Sequence, residues 1–596
     1  MGKARVGAVA MVLAAATALV GCTSSAPQED SSVTIGWGDR FNSYNVSTSY
    51  GAASINGNIT SLTLSGFTAY DNTLELRDDT SFGSVEKISD DPLVVRYSLA
   101  DTATWSDGTP VDAADLLLDW AANSRARDTP SFDPGDYLQH VADTGSATLP
   151  DDTVYFDSGA SPEIGLGLVD ELPQISDDGR SMTVTYSAPN EDWQQALPPP
   201  LPAHVIARNS LGTDDPDAGK HAVIDAITEP DSTALSKIAS FWNTGFNYTS
   251  LPDDEGLYLS SGPYVIDRLD PDTGVTLRAN PEYRGKHAPS IETIDVRYIP
   301  DPTDAVTALA DGEVDVISPQ ATAAVANVIA DVEDVKILIG YVASFEHLDL
   351  QFGTSKNGVF DDPRVREAFL KVVPRQQIVD ELIRPIVGKD ASVRDSFVFI
   401  PGTEGYAASV KASAAGDFDA VDVDGAQKLL AEAGVPNPEV CILYASNNPR
   451  RAQEFALIKA SAEQAGFTVT DCGTEQWREI LGVPGKYDAS LFAWESSSLA
   501  AVDSASRYMT GARNNLNGYS SDKVDGLYRT LSATSDAATS DHLLADVDAA
   551  LWADAYGAPL YQFPSITAYN PATVRGVEPS ILSPTVFWNV WDWTIP

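Results

Sequence analysis

The sequence predicts an α/β fold of interleaved lobes, and three observations carry the prediction. Short strand-like runs alternate with amphipathic helical stretches along the chain, with Asp, Asn, Gly and Pro at the junctions. At 596 residues and 43% hydrophobic content, the chain can fill two or more cores. No internal repeat, low-complexity block or clean linker divides it, so lobes assembled from discontinuous segments are expected.

The elements follow in order. Lys3 and Arg5 precede an apolar run over 6–21, which ends in Leu19-Val20-Gly21-Cys22. This reads as a bacterial secretory signal (1–21) closed by a lipobox, with cleavage before Cys22 and a diacylglyceryl group on its thiol. Residues 22–30 are a polar tether. No later segment offers the ~18 apolar residues of a membrane-spanning helix. Leu93–Leu99 alternates as a strand, and Trp105-Ser106-Asp107-Gly108 turns the chain. Thr109 is then placed to cap a helix with Pro110 at its first position and Leu116, Leu117 and Trp120 on its buried face. Further strands are expected at 182–186, 264–269, 275–278 and 294–299. Helices are expected over 304–310, from Asp361-Asp362-Pro363 onward, from Asp424 to Gly434, from Asn448-Pro449 to Gly466, and over 540–555. The stretches 124–180, 209–232 and 399–420 read as loops.

Strands 440–445 and 467–470 flank one of these helices as a βαβ unit. Cys441 opens the first strand and Cys472 closes the second. An extracytoplasmic address permits a disulfide between them. In-register neighbours, however, would hold them beyond the ~7 Å Cα limit, so a disulfide and a pair of buried thiols both stand.

Asp and Glu outnumber Lys and Arg by 85 to 38, for a net charge of −47. That field repels nucleic acid and anionic lipid and reads as a solubilising surface. The six histidines, at 140, 204, 221, 287, 347 and 542, have no metal-ligand spacing. Nucleophile-elbow, zinc-hydrolase, P-loop and Ser-x-x-Lys signatures are missing, and carboxylates are too abundant for any pair to mean a glycosidase. The expectation is a binding protein without catalysis, cofactor or metal.

Several segments, in one order, resemble the extracytoplasmic solute-binding proteins of ABC importers, in the dipeptide, oligopeptide and nickel class. They begin with Trp105-Ser106-Asp107-Gly108-Thr109-Pro110 and continue through Ser261-Gly262-Pro263-Tyr264 and Asn280-Pro281-Glu282-Tyr283 to Asp311-Gly312-Glu313-Val314-Asp315. Val365-Arg366-Glu367-Ala368, Tyr487-Asp488, Asn517-Gly518-Tyr519 and Ala558-Pro559-Leu560-Tyr561 follow. The resemblance spans about 33–596. It implies a two-lobed, type II periplasmic-binding-protein-like clamp with an extra domain inserted in the first lobe. Lobe I would be 31–54, 201–300 and 560–596, the extra domain 55–200, and lobe II 301–559, with the ligand buried at closure.

The resemblance also implies partners: an ABC permease with its ATPase, a peptide or peptide-like ligand, and the membrane through the Cys22 lipid. The receptor itself would be a monomer with no role for nucleic acid. The ligand-facing loop of lobe II would follow Tyr487-Asp488 and contain Trp494, Glu495, Ser496 and Ser497. Peptide-binding members hold the α-ammonium with an acid three places after the tryptophan, and this chain has Ser497 there. Trp37, Tyr44 and Asn45 in lobe I, and Arg513, Asn514 and Asn515 after the lobe II loop, complete the candidate contacts. A glycan, opine or metal chelate, or a cell-envelope regulatory role without transport, are the alternatives to peptide import.

Overall fold

The computed structural model describes residues 26–596, except 131, 133–136, 138, 139, 141–148, 150, 151, 161–163, 230, 497, 500, 513 and 535. Cys22, Ser497 and Arg513 therefore lie outside the described residues. No helix among those described is long and apolar enough to cross a membrane.

The strands are β1 Gln28–Trp37, β2 Thr68–Tyr70, β3 Leu76–Asp78, β4 Gly83–Asp90, β5 Leu93–Leu99, β6 Gln174–Ile175, β7 Ser181–Thr185 and β8 Tyr264–Asp270. They continue as β9 Gly274–Ala279, β10 Ile291–Tyr298, β11 Val316–Ile317, β12 Lys336–Leu350, β13 Glu439–Leu443, β14 Thr468–Asp471, β15 Ala489–Glu495 and β16 Gly557–Tyr569. One ten-stranded sheet runs β14-β13-β15-β12-β16-β11-β1-β10-β9-β8. A separate four-stranded sheet, β4-β5-β7-β6, lies within the stretch 55–200.

Two large cores divide the chain. The first joins β1, the four-stranded sheet, β8–β10 and the C-terminal tail, from Val33 to Trp593. The second gathers Leu348 to Tyr561, including Phe397, Tyr508 and Trp552. We call these the first and second lobes. The fold is an α/β clamp of two lobes, and the long strands β12 and β16 run antiparallel to each other through its middle.

Local chemistry sets most element boundaries. Pro363 and Pro449 occupy first helical positions behind the caps Asp362 and Asn448, whose side chains accept from the backbone two residues on. Gly434 takes φ +73° to end Val423–Ala433, a conformation that strains any residue with a Cβ.

Several expectations need correction. The stretch 399–420, read as a loop, carries the helix Glu404–Ala412, and the helix expected from Asp424 is capped by Asp422 and begins at Val423. The helix after the Trp105 turn starts at Ala113, not Pro110, because Asp112 and Asp115 form a reciprocal capping box that outcompetes Thr109. The stretch 209–232 is mostly helix, Pro216–Thr228, capped by Asp215 and anchored by buried Val223 and Ile227. Its polar surface concealed the apolar stripe. Finally, Cys441 is the third residue of β13, and its pairing ladder runs past β14 through the Cys472 N–H donating to Ile442 O at 3.1 Å. That stagger keeps the two Cα atoms 5.7 Å apart, and the structure joins the sulfurs.

Candidate functional site

β15 is apolar and buried over Ala489–Phe492, then emerges over Ala493–Glu495. Antiparallel pairing with β12 sets Trp494 opposite Phe345 and Glu495 opposite Ser344. Strand alternation sends the two side chains to opposite faces. Trp494 turns onto Phe492 and His347, with ring centroids 5.1 and 6.0 Å away, and the Arg507 guanidinium lies 5.4 Å from its centroid. Its indole Nε1 is buried without a hydrogen-bond partner.

Glu495 faces the first lobe. It is exposed, yet protein crowds it from several sides. Desolvation lifts its carboxyl above the usual range, while the Ser583 and Ser54 hydroxyls of the first lobe favour its ionised form. The charges of Asp39, just past β1, and of Arg478 also act on it. Glu495 thus sits solvent-exposed at the seam between the lobes, within hydrogen-bonding reach of Ser54 and Ser583 of the first lobe and within electrostatic reach of Asp39 and Arg478.

Ser54 opens the helix Ser54–Thr63 and shares a stripe with Gly57 and Asn58. A Cβ on Gly57 would approach Ser583 Oγ at 3.9 Å, which sets this stripe against the tail segment. Asn58 is 1% exposed, and neither polar atom of its amide has a partner. Trp37, two residues before Asp39, packs edge-on against Phe587 at 5.3 Å with its own Nε1 buried and unpartnered. Burial of unmet polar groups costs about 1–3 kcal/mol each. In a cleft, such groups are the ones a ligand can satisfy.

Behind the second-lobe wall lies a group of buried guanidiniums. Arg450 and Arg451 bind Glu346, with Arg451 Nε donating to Glu346 Oε1 at 2.9 Å. Arg394 lies 3.8 Å from the Phe345 centroid and donates to Ser396 O and Gln562 Oε1. Arg507 binds Asp503 at 2.5 Å. Among them, His347 donates through Nδ1 to Phe492 O at 2.5 Å, and burial depresses its pKa to about 3. Asp349, 3.6 Å from His347 Nε2, is pushed up to about 8 by the same desolvation. The two are therefore neutral neighbours at pH 7, not an ion pair.

The remaining candidates are committed within the fold. Tyr44 is buried and its hydroxyl donates to Leu259 O at 2.9 Å. Asn45 donates to Trp242 O and accepts from Ser47 N–H. Ser496 Oγ lies 3.2 Å from both Asp503 and Arg507. Asn514 bonds Ser506, and Asn515 closes a turn by donating to Met509 O and Tyr519 O. The seam between the lobes holds Glu495 but not Trp494, whose ring lies on the opposite face of β15 against Phe492, His347 and Arg507, while Trp37 packs on Phe587. The seam adds Asp39, Ser54, Asn58, Trp477, Arg478 and Ser583, which sequence reasoning did not single out. No motif marks them, since each comes from a different element.

Among the described residues, no group of three or more His, Cys, Asp or Glu side chains could hold a metal ion.

Comparison with known proteins adds the lineage. A family model described as bacterial extracellular solute-binding proteins, family 5 Middle, matches residues 81–515. The chain is 27% identical over 566 residues to an uncharacterised lipoprotein of Mycobacterium tuberculosis (strain ATCC 25618 / H37Rv), covering 92% of this chain and 90% of that protein. In structure it is similar to the periplasmic EDTA-binding protein EppA, with a TM-score of 0.75, 21% identity, and coverage of 96% and 97% of the two chains. It is also similar to the oligopeptide-binding protein AppA from Bacillus subtilis, solved with a nonapeptide, with a TM-score of 0.70, 16% identity, and coverage of 96% and 100%. With the family match running over most of its length, the chain belongs to the bacterial extracellular solute-binding proteins of family 5, the binding-protein class of ABC importers.

Proposed function

We propose that this chain is a lipid-anchored receptor that captures a peptide or peptide-like solute between its lobes and delivers it to an ABC permease and its ATPase. Cys22 would carry the lipid, and residues 22–30 the tether. One observation carries the capture reading. Glu495 at the exposed end of β15 meets Ser54, Ser583 and Asp39 of the other lobe, and the Ser583 N–H is bonded to the carbonyl of Ser496 beside it. Affinity there comes from desolvation on closure plus a few placed polar groups. The lipoprotein name of the mycobacterial relative supports the anchor.

A non-peptide ligand of the chelate or opine type is the second reading. Ser497 stands where peptide-binding members carry the ammonium-binding acid, and the similar EppA is named for EDTA.

Thermal-shift screening of the full chain against di- to pentapeptides, opines and metal chelates tests both. A ligand at ~100 Kd adds roughly 2.7 kcal/mol of stability, a clear rise in Tm. Peptide capture fails if no peptide shifts the transition. Solute capture fails if no class does.

A further inference from the structure

Arg478 is an exposed cation in a strongly acidic chain, and among the described residues it has no carboxylate within ion-pair distance. It lies instead with its guanidinium 5.0 Å from the centroid of the adjacent Trp477 ring. The ring is held in place: the Arg451 guanidinium lies 5.1 Å from the same centroid, and Arg451 is fixed to Glu346, with both partners buried. A rigid chain of contacts thus runs from the β12 interior through Glu346, Arg451 and Trp477 to Arg478. Stacking orients a guanidinium while leaving its edge free to donate.

The location is the seam between the lobes: Trp477 packs on the Arg451–Glu346 pair, and Glu346 stands opposite Ala493, two residues before Glu495. Asp39 of the first lobe and Glu495 of β15 are close enough for their charges to act on Arg478, but they do not pair with it. Desolvation by the surrounding protein lowers its pKa from the usual guanidinium value. Behind it Arg451, fixed to Glu346 on the same face of β12, adds a second positive charge in a chain that carries −47 overall.

We propose that Arg478, held on the face of Trp477, recognises a carboxylate of the solute captured in the cleft. This rests on the solute-capture reading above. The planar fork suits bidentate binding of a carboxylate, and Asp39 and Glu495 favour a ligand whose other end is neutral or cationic. A terminal carboxylate of a short peptide and a carboxylate of a non-peptide acid share this chemistry, and the test separates them.

Calorimetric titration of the full chain in detergent micelles uses four probes: an equimolar tripeptide library with free C-termini, the same library amidated, citrate, and nitrilotriacetate. The expected result is binding of at least one carboxylate probe, with Arg478→Gln weakening it about tenfold or more. Arg478→Lys should recover only part of the loss, because lysine keeps the charge but not the fork. Lys428→Gln, an exposed change on a distant helix, should bind as wild type does. Arg478 is exposed, so the variants should keep the wild-type Tm without ligand. A response to the free-acid library and not the amidated one assigns a peptide terminus, and a response to citrate or nitrilotriacetate alone assigns a non-peptide acid. Equal affinity for both libraries, or full affinity in Arg478→Gln, overturns the assignment while leaving solute capture standing. Binding of no probe overturns the carboxylate assignment, and the wider thermal-shift screen then shows whether capture falls with it.

Discussion

The backbone N–H of Ser583 donates to the carbonyl oxygen of Ser496 at 3.1 Å, tying the C-terminal tail of the first lobe to the loop that ends β15 in the second. Ser496 N–H donates to Ala343 O at 3.3 Å, and Ala343 N–H donates to Ile581 O at 2.6 Å. These bonds close a backbone circuit under the cleft. Side-chain replacements cannot delete backbone groups, so the floor should keep its shape while its chemistry is altered.

Trp494 tests that separation. Trp494→Phe keeps a ring against Phe492 and His347 and removes only the unpartnered indole N–H. It should weaken ligand binding about five- to tenfold, the worth of roughly 1 kcal/mol, with Tm almost unchanged. Trp494→Ala should abolish measurable binding and cost about 2 kcal/mol of stability, below the 3–5 kcal/mol of a fully buried tryptophan, because the ring is half-exposed. Calorimetry and urea unfolding on each variant read the two effects.

Residues between 164 and 195 also reach the second lobe. Ser540 Oγ donates to Glu191 at 2.6 Å, Ser498 Oγ donates to Gln195 at 2.9 Å, and Ile164 packs into the second-lobe core. Ile164→Ala combined with Glu191→Ala should loosen this contact. Small-angle scattering should then report a larger radius of gyration without ligand, and stopped-flow release should be faster. An unchanged profile would mean that the long strands β12 and β16 alone hold the lobes.

Stability should depend on pH through His347 and Asp349. Asp349 titrates near 8 in the fold and near 4 in the unfolded chain, so the fold holds the extra proton between those values. Stability therefore rises as pH falls from above 8. His347 titrates near 3 in the fold and near 6.5 unfolded, so below 6.5 the unfolded chain takes the extra proton and stability falls. The two effects cancel between about 4 and 6.5. What remains is a gain of about 2 kcal/mol from this pair on acidifying from pH 8 to 6.5. Asp349→Asn should flatten that arm and raise stability at pH 8, as measured by urea unfolding across the range.

The Cys441–Cys472 bridge closes a loop with a sequence separation of 31. Chain entropy assigns such a loop about 3–4 kcal/mol. Alkylation without reductant should leave both residues unlabelled by mass, and dithiothreitol should lower the urea midpoint accordingly. Labelling of both residues in the native, unreduced protein would establish free thiols instead. Lys356 Nζ stands 3.6 and 3.8 Å from the two sulfurs, so a released thiolate would have a cation beside it.

Much of the architecture was legible because it is local. Asp-Pro and Asn-Pro pairs start helices wherever they stand, Gly434 ends one, and alternating runs such as Leu93–Leu99 become strands. Errors came where two local options competed. At Thr109 and Asp112 the capping box won, and at 209–232 a polar exterior hid a helix packed by Val223 and Ile227.

The site divided along the same line. Trp494 and Glu495 could be named from their place after Tyr487-Asp488, and strand pairing then sets them on opposite faces. Tyr44, Asn45 and Asn515 could be named too, but only the folded chain shows their polar atoms bonded within it. The sequence by itself determined the helix caps, the strand pattern, the acidic surface and the order of family segments, since each depends on neighbours in the chain. Only the tertiary structure decided that Asp39, Ser54, Arg478, Glu495 and Ser583 meet. They come from five separate elements of two lobes, and an electrostatic site of that kind exists only once long-range packing has brought its charges within reach of one another.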